Sequence, residues 1–284
     1  MSNSLRLFKP IALIYAATTL LMGCSNAVNP QLPTLSEQDS LWLGEQIFRN
    51  ECNLKTECLT SWNAGETFPS LGIGHFIWFQ KGQQEAFLES FPALLAFYDS
   101  EGHAIPQWIA ALEERDSPWL NRESFLAAQD SEQMTQLRDF LLQTQAVQVR
   151  FIVQRMQNSL ALLTQHAENP QAIGELFVEV AWSERPNGLY ALIDYVNFKG
   201  EGTAEQERYK GQGWGLLQVL EYLNEHRDPY TGLLPQFVEA ADFVLTRRVN
   251  NAPPERNEQR WLPGWRNRLN TYLSSAQLTA RQGQ

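Results

Sequence analysis

NECNLKTECLTSWNAGETFPSLGIGHF, residues 50–76, is the segment that decides the fold. Glu51 lies at the end of a stretch, 39–51, in which apolar residues recur at helical spacing. Residues 59–79 are rich in aromatic, β-branched and glycine residues, and Asn-Ala-Gly at 63–65 stands in the middle, as is typical of a β-hairpin. The sequence therefore predicts a helix that ends in a glutamate and leads directly into a small hairpin.

Most of the remaining chain has helical periodicity. Apolar residues recur at intervals of three and four in segments 83–98, 106–115, 121–129, 131–167, 171–182, 188–198, 213–225, 235–249 and 258–274. Pro92 should kink or split the first of these helices, and 131–167 is one long helix or two in line. No alternation of strands and helices indicates a parallel sheet. We expect a mainly α (α+β) fold with one small hairpin. It forms a single domain over 37–284, with an N-terminal lobe at 37–80 and a helical lobe at 81–284.

The first 23 residues have the features of an export signal. Two basic residues, Arg6 and Lys9, precede an uncharged apolar run that is too short to span a membrane. The run ends in Leu-Met-Gly-Cys24, which resembles the lipobox of bacterial lipoproteins. The resemblance implies that Cys24 is lipidated, and Ser25 after it favours the outer membrane over the inner one. The alternative is a short signal anchor that is not removed.

The predicted mature chain begins at Cys24 with a proline-containing tether, 24–36. We therefore expect a lipid-anchored protein of the cell envelope that faces the periplasm. Exported chains meet oxidising conditions, so Cys52 and Cys58 are expected to form a disulfide, with two free buried thiols as the alternative. Two cysteines and scattered histidines make a poor zinc site, and no metal is expected.

Composition narrows the classes of partner. The net charge is −10 and the basic residues are not clustered, which argues against nucleic acid as a partner because phosphates need clustered cations. The same charge argues against electrostatic capture of anionic polymers. Nine tryptophans are compatible with a carbohydrate cleft and equally with an ordinary core.

Glu51, Ser70 and His75 carry a family resemblance. A helix that ends in glutamate, a hairpin and then Ser-Leu-Gly-Ile-Gly-His resemble the catalytic core of phage-type lysozymes, in which the hairpin leads into Thr-x-Gly-x-Gly-His. The resemblance implies that Glu51 is the general acid, Ser70 the hairpin hydroxyl and His75 the structural histidine. The family's second acidic residue, carried by the hairpin, has no direct match in this sequence. The carboxylate nearest to that position is Glu66, and Asn63, which is not acidic, is the other candidate for it.

The chemistry of glycosidic cleavage is consistent with these roles. It requires a protonated carboxylic acid beside the leaving oxygen. Glu51 would lie at the negative end of its helix dipole, and apolar neighbours such as Phe48 or Trp62 would further disfavour its charged form. In an extended strand Glu66 and Ser70 would share one face, which favours Glu66 as the second carboxylate or as a group that positions water.

A second candidate region is 182–220. Gly-Leu-Leu-Gln-Val at 215–219 resembles the Gly-Leu-Met-Gln-Ile/Val signature of lytic transglycosylases and goose-type lysozymes, in which the catalytic glutamate precedes the motif by a short loop. Glu201 has about that separation, although Gly202 follows it in place of serine. The alternative for 215–219 is an ordinary helix start. A hypothesis that unites both regions makes this segment the opposite wall of a glycan cleft, with Asp194, Tyr195, Asn197, Lys199, Glu201, Trp214 and Gln218 as candidate wall residues.

Together these features predict a peptidoglycan glycosidase of the lysozyme-like superfamily. It would cleave the β-1,4 bond between N-acetylmuramic acid and N-acetylglucosamine. Glu51 is the predicted acid, supported by Glu66 and Ser70, and the predicted substrate contacts are Trp62, Asn63, His75, Asn197, Glu201, Trp214 and Gln218. If Glu66 acts as a base or nucleophile, the enzyme would be a hydrolase. If Glu51 acts alone, the enzyme would be a lytic transglycosylase. Cleavage of chitin or chitosan by the same fold is a less favoured alternative.

No cofactor is implied, because acid–base cleavage of a glycoside needs none. The alternative from another class is a non-catalytic envelope protein that binds glycan or forms a scaffold. An open cleft shared by Glu51 and Glu66 would favour the enzyme, and burial of Glu51 in an ion pair would weaken that hypothesis.

Overall fold

A computed structural model describes residues 31–85, 88–205, 207–274 and 277. The export signal, the lipidation site at Cys24 and most of the predicted tether lie outside these residues. The last tether residues contact the folded body, since Leu32 is buried and Arg185 donates a hydrogen bond to the Thr34 carbonyl (2.7 Å). No described helix is long and apolar enough to cross a membrane.

The mainly α fold is confirmed, because helices make up 60% of the structure and strands only 4%. The helices are α1 (Glu37–Cys52), α2 (Phe91–Ser100), α3 (Gln107–Ala110), α4 (Arg122–Ala127), α5 (Glu132–Gln143), α6 (Gln145–His166), α7 (Pro170–Trp182), α8 (Asn187–Lys199), α9 (Leu216–Glu225), α10 (Leu233–Asn251) and α11 (Leu262–Asn270). The strands are β1 (Thr60–Ser61), β2 (Ser70–Leu71), β3 (Phe76–Ile77), β4 (Arg208–Tyr209) and β5 (Gln212–Gly213).

Helix α1 carries Glu51 in its last turn. A capping box between Ser36 and Asp39 starts the helix, and Asn53 in the left-handed conformation (φ 49°) ends it. The buried face of α1, which includes Ile47, packs against the long central helix α6. Because both ends of α1 are capped and one face is buried, the position of Glu51 is set by the helix.

The predicted disulfide is confirmed. Cys52, the last residue of α1, is bonded to Cys58 across six positions of sequence. Closing so short a loop stabilises the fold by about 2 kcal/mol in the chain-entropy estimate. The bond also fixes the chain direction immediately after Glu51.

A small antiparallel sheet follows, with strand order β1–β2–β3. The predicted hairpin corresponds to β1 and β2, which pair through Thr60 with Leu71 and Ser61 with Ser70. The structure adds β3 beyond the Gly-Ile-Gly turn at 72–74. Gln148 of α6 holds this turn because its buried amide oxygen accepts from the Ile73 N–H (3.0 Å).

One continuous apolar core joins the sheet to the helices. Helix α6 contacts α1, α2, α7 and α8, and α10 contacts α7, α9 and α11. Strands β4 and β5 form a second short antiparallel ribbon between α8 and α9, which the sequence did not predict. This packing brings α11, near the end of the described chain, against the end of α1.

Candidate active site

Three charged residues from distant parts of the chain meet at the end of α1. Arg268 of α11 donates through Nη2 to the Glu51 carboxylate. The same guanidinium binds Asp194 of α8 through Nε–Oδ2 and Nη2–Oδ1 contacts of 2.8 Å each. The side chain of Asp194 is 1% exposed, compared with 18% for Glu51 and 16% for Arg268. We call these three residues the Arg268 cluster.

Asp194 is the buried centre of this cluster. Tyr272 donates its hydroxyl to Oδ2 (2.6 Å) and Asn50 donates its amide to Oδ1 (3.0 Å). Burial opposes the charge of Arg268, but its hydrogen bonds to Asp194 and the charges of Asp194 and Glu51 together raise the pKa of Arg268. Arg268 therefore keeps its positive charge throughout the ordinary pH range.

The environment of Glu51 differs from the one expected from its sequence neighbours. The helix end and apolar neighbours were expected to disfavour its charged form, whereas an arginine in contact stabilises the ionised carboxylate. This ion pair weakens the simple form of the enzyme hypothesis. However, Asp194 already balances the charge of Arg268. A proton on Glu51 would bring the cluster from a net charge of −1 to zero without leaving a buried cation unpaired.

His75 lies beside the Cys52–Cys58 disulfide. Its ring nitrogen and the two sulfur atoms lie within 4.8 Å of one another, and its backbone has a left-handed φ of 48°. Both sulfurs are bonded to each other, so they are not available as thiolate ligands for a metal. The buried Nε2 of His75 has no hydrogen-bond partner among the described residues. His75, at the end of the Gly-Ile-Gly turn, thus lies beside Cys52, the residue that follows Glu51.

A groove of about 320 Å³ joins the two regions that the sequence singled out. One wall is the turn and strand that carry His75, the floor is α6, and the other wall follows the end of α8. We call it the central groove, and its lining includes His75, Ile152, Arg155, Ser159, Asn197 and Glu201. His75, Asn197 and Glu201 were predicted from separate motifs and here face one space, as the hypothesis of two opposite walls requires. Glu51 and Glu66 lie outside this lining.

Glu201 is held in place by a tightly built loop. Its Oε1 accepts a hydrogen bond from Ser159 (2.9 Å), and its carbonyl accepts from the Leu217 N–H of α9 (2.9 Å). Burial lowers the pKa of nearby Arg155, and the charge of Glu201 opposes that change. Ser159 and Arg155 are groove residues that the sequence gave no reason to select, because they lie on an ordinary amphipathic helix.

Gln218 has a structural role in place of the predicted substrate contact. Its amide oxygen accepts from the Gly215 N–H and its amide nitrogen donates to the Gly202 carbonyl, both at 3.0 Å. A Cβ atom on Gly215 would lie 2.1 Å from the Gly202 nitrogen, so the two backbones touch directly. Trp214 is likewise only 7% exposed, and the Gly-Leu-Leu-Gln motif therefore fastens the Glu201 loop to α9.

The hairpin residues also differ from expectation. Strand β2 begins at Ser70, so Glu66 lies in the preceding loop and the argument from strand alternation is wrong. Ser70 is buried. Trp62 is 4% exposed and donates its indole N–H to the Glu66 carbonyl (2.9 Å), which removes it as a sugar platform. Asn63 is exposed. No hydrogen bond or ion pair between described residues joins Glu66 to Glu51.

No family model, curated protein or solved structure matches this chain.

An aromatic and cationic surface continues from the Arg268 cluster along α11. The guanidinium of Arg268 lies 4.5 Å from the ring centre of Phe198. The ammonium of Lys199 lies 3.9 Å from the same ring and 3.6 Å from that of Trp265. Burial, and then the charge of Arg248, lower the pKa of Lys199 to about 7, while Glu258 acts in the opposite direction. Lys199 therefore changes charge near neutral pH.

This lowered pKa gives a pH-dependent stability. Between pH 7 and 10.5 the folded protein has lost the Lys199 proton and the unfolded chain still holds it, so the unfolded state binds more protons and stability rises with pH. The free energy of unfolding of wild type minus that of Lys199→Met is expected to increase from pH 7 to pH 10. Urea unfolding at four pH values in this range measures it, and a flat or falling difference would contradict the assignment.

Proposed function

We propose that the chain is a peptidoglycan glycosidase of the lysozyme-like superfamily. It acts from the outer membrane, where it is anchored through Cys24, and it cleaves the β-1,4 bond between N-acetylmuramic acid and N-acetylglucosamine. Glu51 is the proton donor. The observation that carries the proposal is the central groove, which brings His75, Asn197 and Glu201 from two separate sequence motifs to one space, with His75 against the residue after Glu51.

The Arg268 cluster suits the two charge states of a general acid. A general acid carries its proton before cleavage, and with Glu51 in that state Asp194 alone would balance the charge of Arg268. As the proton moves to the leaving oxygen, negative charge develops on the Glu51 carboxylate. Arg268 is already in contact with that carboxylate, so it stabilises the charge as it forms without further rearrangement.

The central groove supplies the binding surface for the glycan. Its lining mixes an apolar floor, with Ile152 and Met156, with polar groups such as Asn158, Ser159 and Asn197. A few placed polar groups on an apolar surface are typical of small-ligand sites. His75 lines the groove and lies against Cys52, the residue after Glu51. A sugar chain in the groove therefore passes close to the end of α1.

The second catalytic group decides the reaction type. Glu66 has no described contact with Glu51, whereas Glu201 lies in the groove with Ser159 as a hydrogen-bond partner. Water activated by Glu201 would give hydrolysis. Attack by the muramoyl hydroxyl in the absence of such a base would give a 1,6-anhydro product.

A second candidate function is non-catalytic binding of the same glycan. The observation in its favour is the Glu51–Arg268 ion pair itself, since an arginine in contact stabilises the ionised carboxylate. The groove would then bind peptidoglycan and leave it intact.

Digestion of purified peptidoglycan by the full-length protein tests the proposal, with the soluble products identified by mass spectrometry. Muropeptides with reducing N-acetylmuramic acid ends are the expected products of a hydrolase, and 1,6-anhydro ends those of a lytic transglycosylase. Chitin oligosaccharides, digested in parallel, test the alternative that the substrate is chitin. Intact glycan that co-sediments with the protein would reject the enzyme and support the binding protein.

A further inference from the structure

A second cavity, of about 500 Å³, lies at the start of α11. Its lining differs from that of the central groove in being aromatic and rich in arginine. We call it the Trp–Arg pocket, and its lining residues are Arg248, Glu255, Arg256, Glu258, Arg260, Trp261 and Trp265. The connection between α10 and α11 forms this pocket, and none of these residues was selected by the sequence motifs.

Two of its arginines are available to a ligand. Arg248 is already paired with Glu258 through contacts of 2.7 and 2.9 Å. Arg256 and Arg260 are exposed and form no ion pair within the described part of the chain. The Arg260 guanidinium lies 4.8 Å from the ring centre of Trp261, which is 52% exposed. Three arginines against two glutamates, Glu255 and Glu258, leave the pocket with a net positive charge beside an open indole face, on a chain whose net charge is −10.

The pocket is continuous with the Arg268 cluster. Trp265 in the pocket and Arg268 in the cluster are three residues apart on α11, which places them on the same side of the helix. Lys199 bridges them, since its ammonium contacts Trp265 and the neighbouring Phe198 ring lies under Arg268. The pocket and the Glu51 carboxylate are therefore linked by a row of packed side chains on one side of α11.

We propose that the Trp–Arg pocket binds the carboxylates of the peptide stem carried by the glycan at Glu51. This inference rests on the proposed function and names the part of the substrate that sets its specificity. In a stem-bearing strand the lactyl carboxyl is an amide, so the negative charges lie in the peptide. Guanidinium groups bind carboxylates with paired, charge-assisted hydrogen bonds. Trp261 offers a flat apolar surface to the peptide backbone and side chains.

Equilibrium binding of one disaccharide tetrapeptide in two forms tests the pocket. The first form is N-acetylglucosaminyl-N-acetylmuramoyl-tetrapeptide, and the second has all its peptide carboxyls converted to primary amides. Wild type is expected to bind the carboxylate form about tenfold more tightly than the amide form, which corresponds to the free energy of one charge-assisted hydrogen bond. The double variant Arg256→Gln/Arg260→Gln should bind both forms equally weakly. Equal binding of the two forms by wild type, or an undiminished preference in the double variant, would overturn the proposal.

A matched control changes the same charge elsewhere. Arg227 and Lys81 are surface cations, each paired with a glutamate outside the pocket, and Arg227→Gln/Lys81→Gln should keep the tenfold preference. If it loses the preference as well, the effect is one of net charge and the pocket is rejected. The disaccharide lacks the bond proposed to be cleaved, so its binding is measured independently of cleavage. A preference for the carboxylate form without any cleavage of peptidoglycan would reject the glycosidase activity and still support peptide binding by the pocket.

Discussion

Glu51→Gln is expected to slow release of soluble muropeptides from peptidoglycan by about 10²–10⁴-fold, the usual contribution of a positioned general acid. Glutamine keeps the shape of the side chain and can still accept a hydrogen bond from Arg268, but it has no carboxylic proton to donate. The Asp194–Arg268 pair stays intact in this variant. The measurement is the initial rate of release for wild type and variant at the same concentration.

Two controls separate a chemical effect from a structural one. Glu45→Gln removes an exposed glutamate of the same helix, which pairs with Arg49, and it should leave the rate unchanged. The urea unfolding free energy of Glu51→Gln should stay within about 1 kcal/mol of wild type, since glutamine can still accept a hydrogen bond from Arg268 and Asp194 still balances the charge of that arginine. If Glu51→Gln retains full activity and Glu201→Gln loses it, the acid is Glu201.

Arg268→Gln is expected to destabilise the protein by about 3–5 kcal/mol. The substitution leaves Asp194, whose side chain is 1% exposed, without a counter-charge, and an unpaired buried charge is strongly unfavourable. Tyr272 and Asn50 still donate to Asp194, but neither carries a charge. Equilibrium urea unfolding of the variant and the wild type measures the loss.

Asp194→Asn tests whether the unpaired charge is the cause. The double variant Arg268→Gln/Asp194→Asn removes both charges and should be more stable than Arg268→Gln alone, a coupling that a double-mutant cycle reports. Arg266 is a surface arginine on the same helix, paired with Asp242, and Arg266→Gln should cost no more than about 1 kcal/mol. Similar losses of unfolding free energy in Arg266→Gln and Arg268→Gln would refute the role of Arg268 as the counter-charge of a buried carboxylate.

The parts of the fold that follow from local sequence were predicted well. The helix before Glu51, the hairpin after it and the Cys52–Cys58 bond each depend on neighbouring residues, and each is confirmed. The stretch 131–167, predicted as one long helix or two in line, forms two consecutive helices, α5 and α6, which are separated at Thr144. Pro92 does not split a helix as expected. It lies in the first turn of α2, where proline needs no backbone N–H partner.

The side chains that contact Glu51 could not be predicted from the local sequence. Arg268 is 217 positions away from Glu51 and Asp194 is 74 positions away from Arg268, and no spacing in either segment points to the other. The prediction for Glu66 depended on a strand long enough to alternate from 66 to 70, but β2 is two residues long. Motif spacing thus located both walls of the central groove, and only tertiary packing determined which side chains enter it.

The contact between Gly202 and Gly215 has a consequence for the descent of this protein. Any side chain at Gly215 would collide with the backbone that follows Glu201, and Gly202 has a left-handed φ of 82°. We therefore expect any relative that keeps this loop to have glycine at both positions, whatever residue it has at 201. The glycine pair then marks the loop in a distant sequence, and the residue at 201 shows whether that sequence also keeps a carboxylate in the groove.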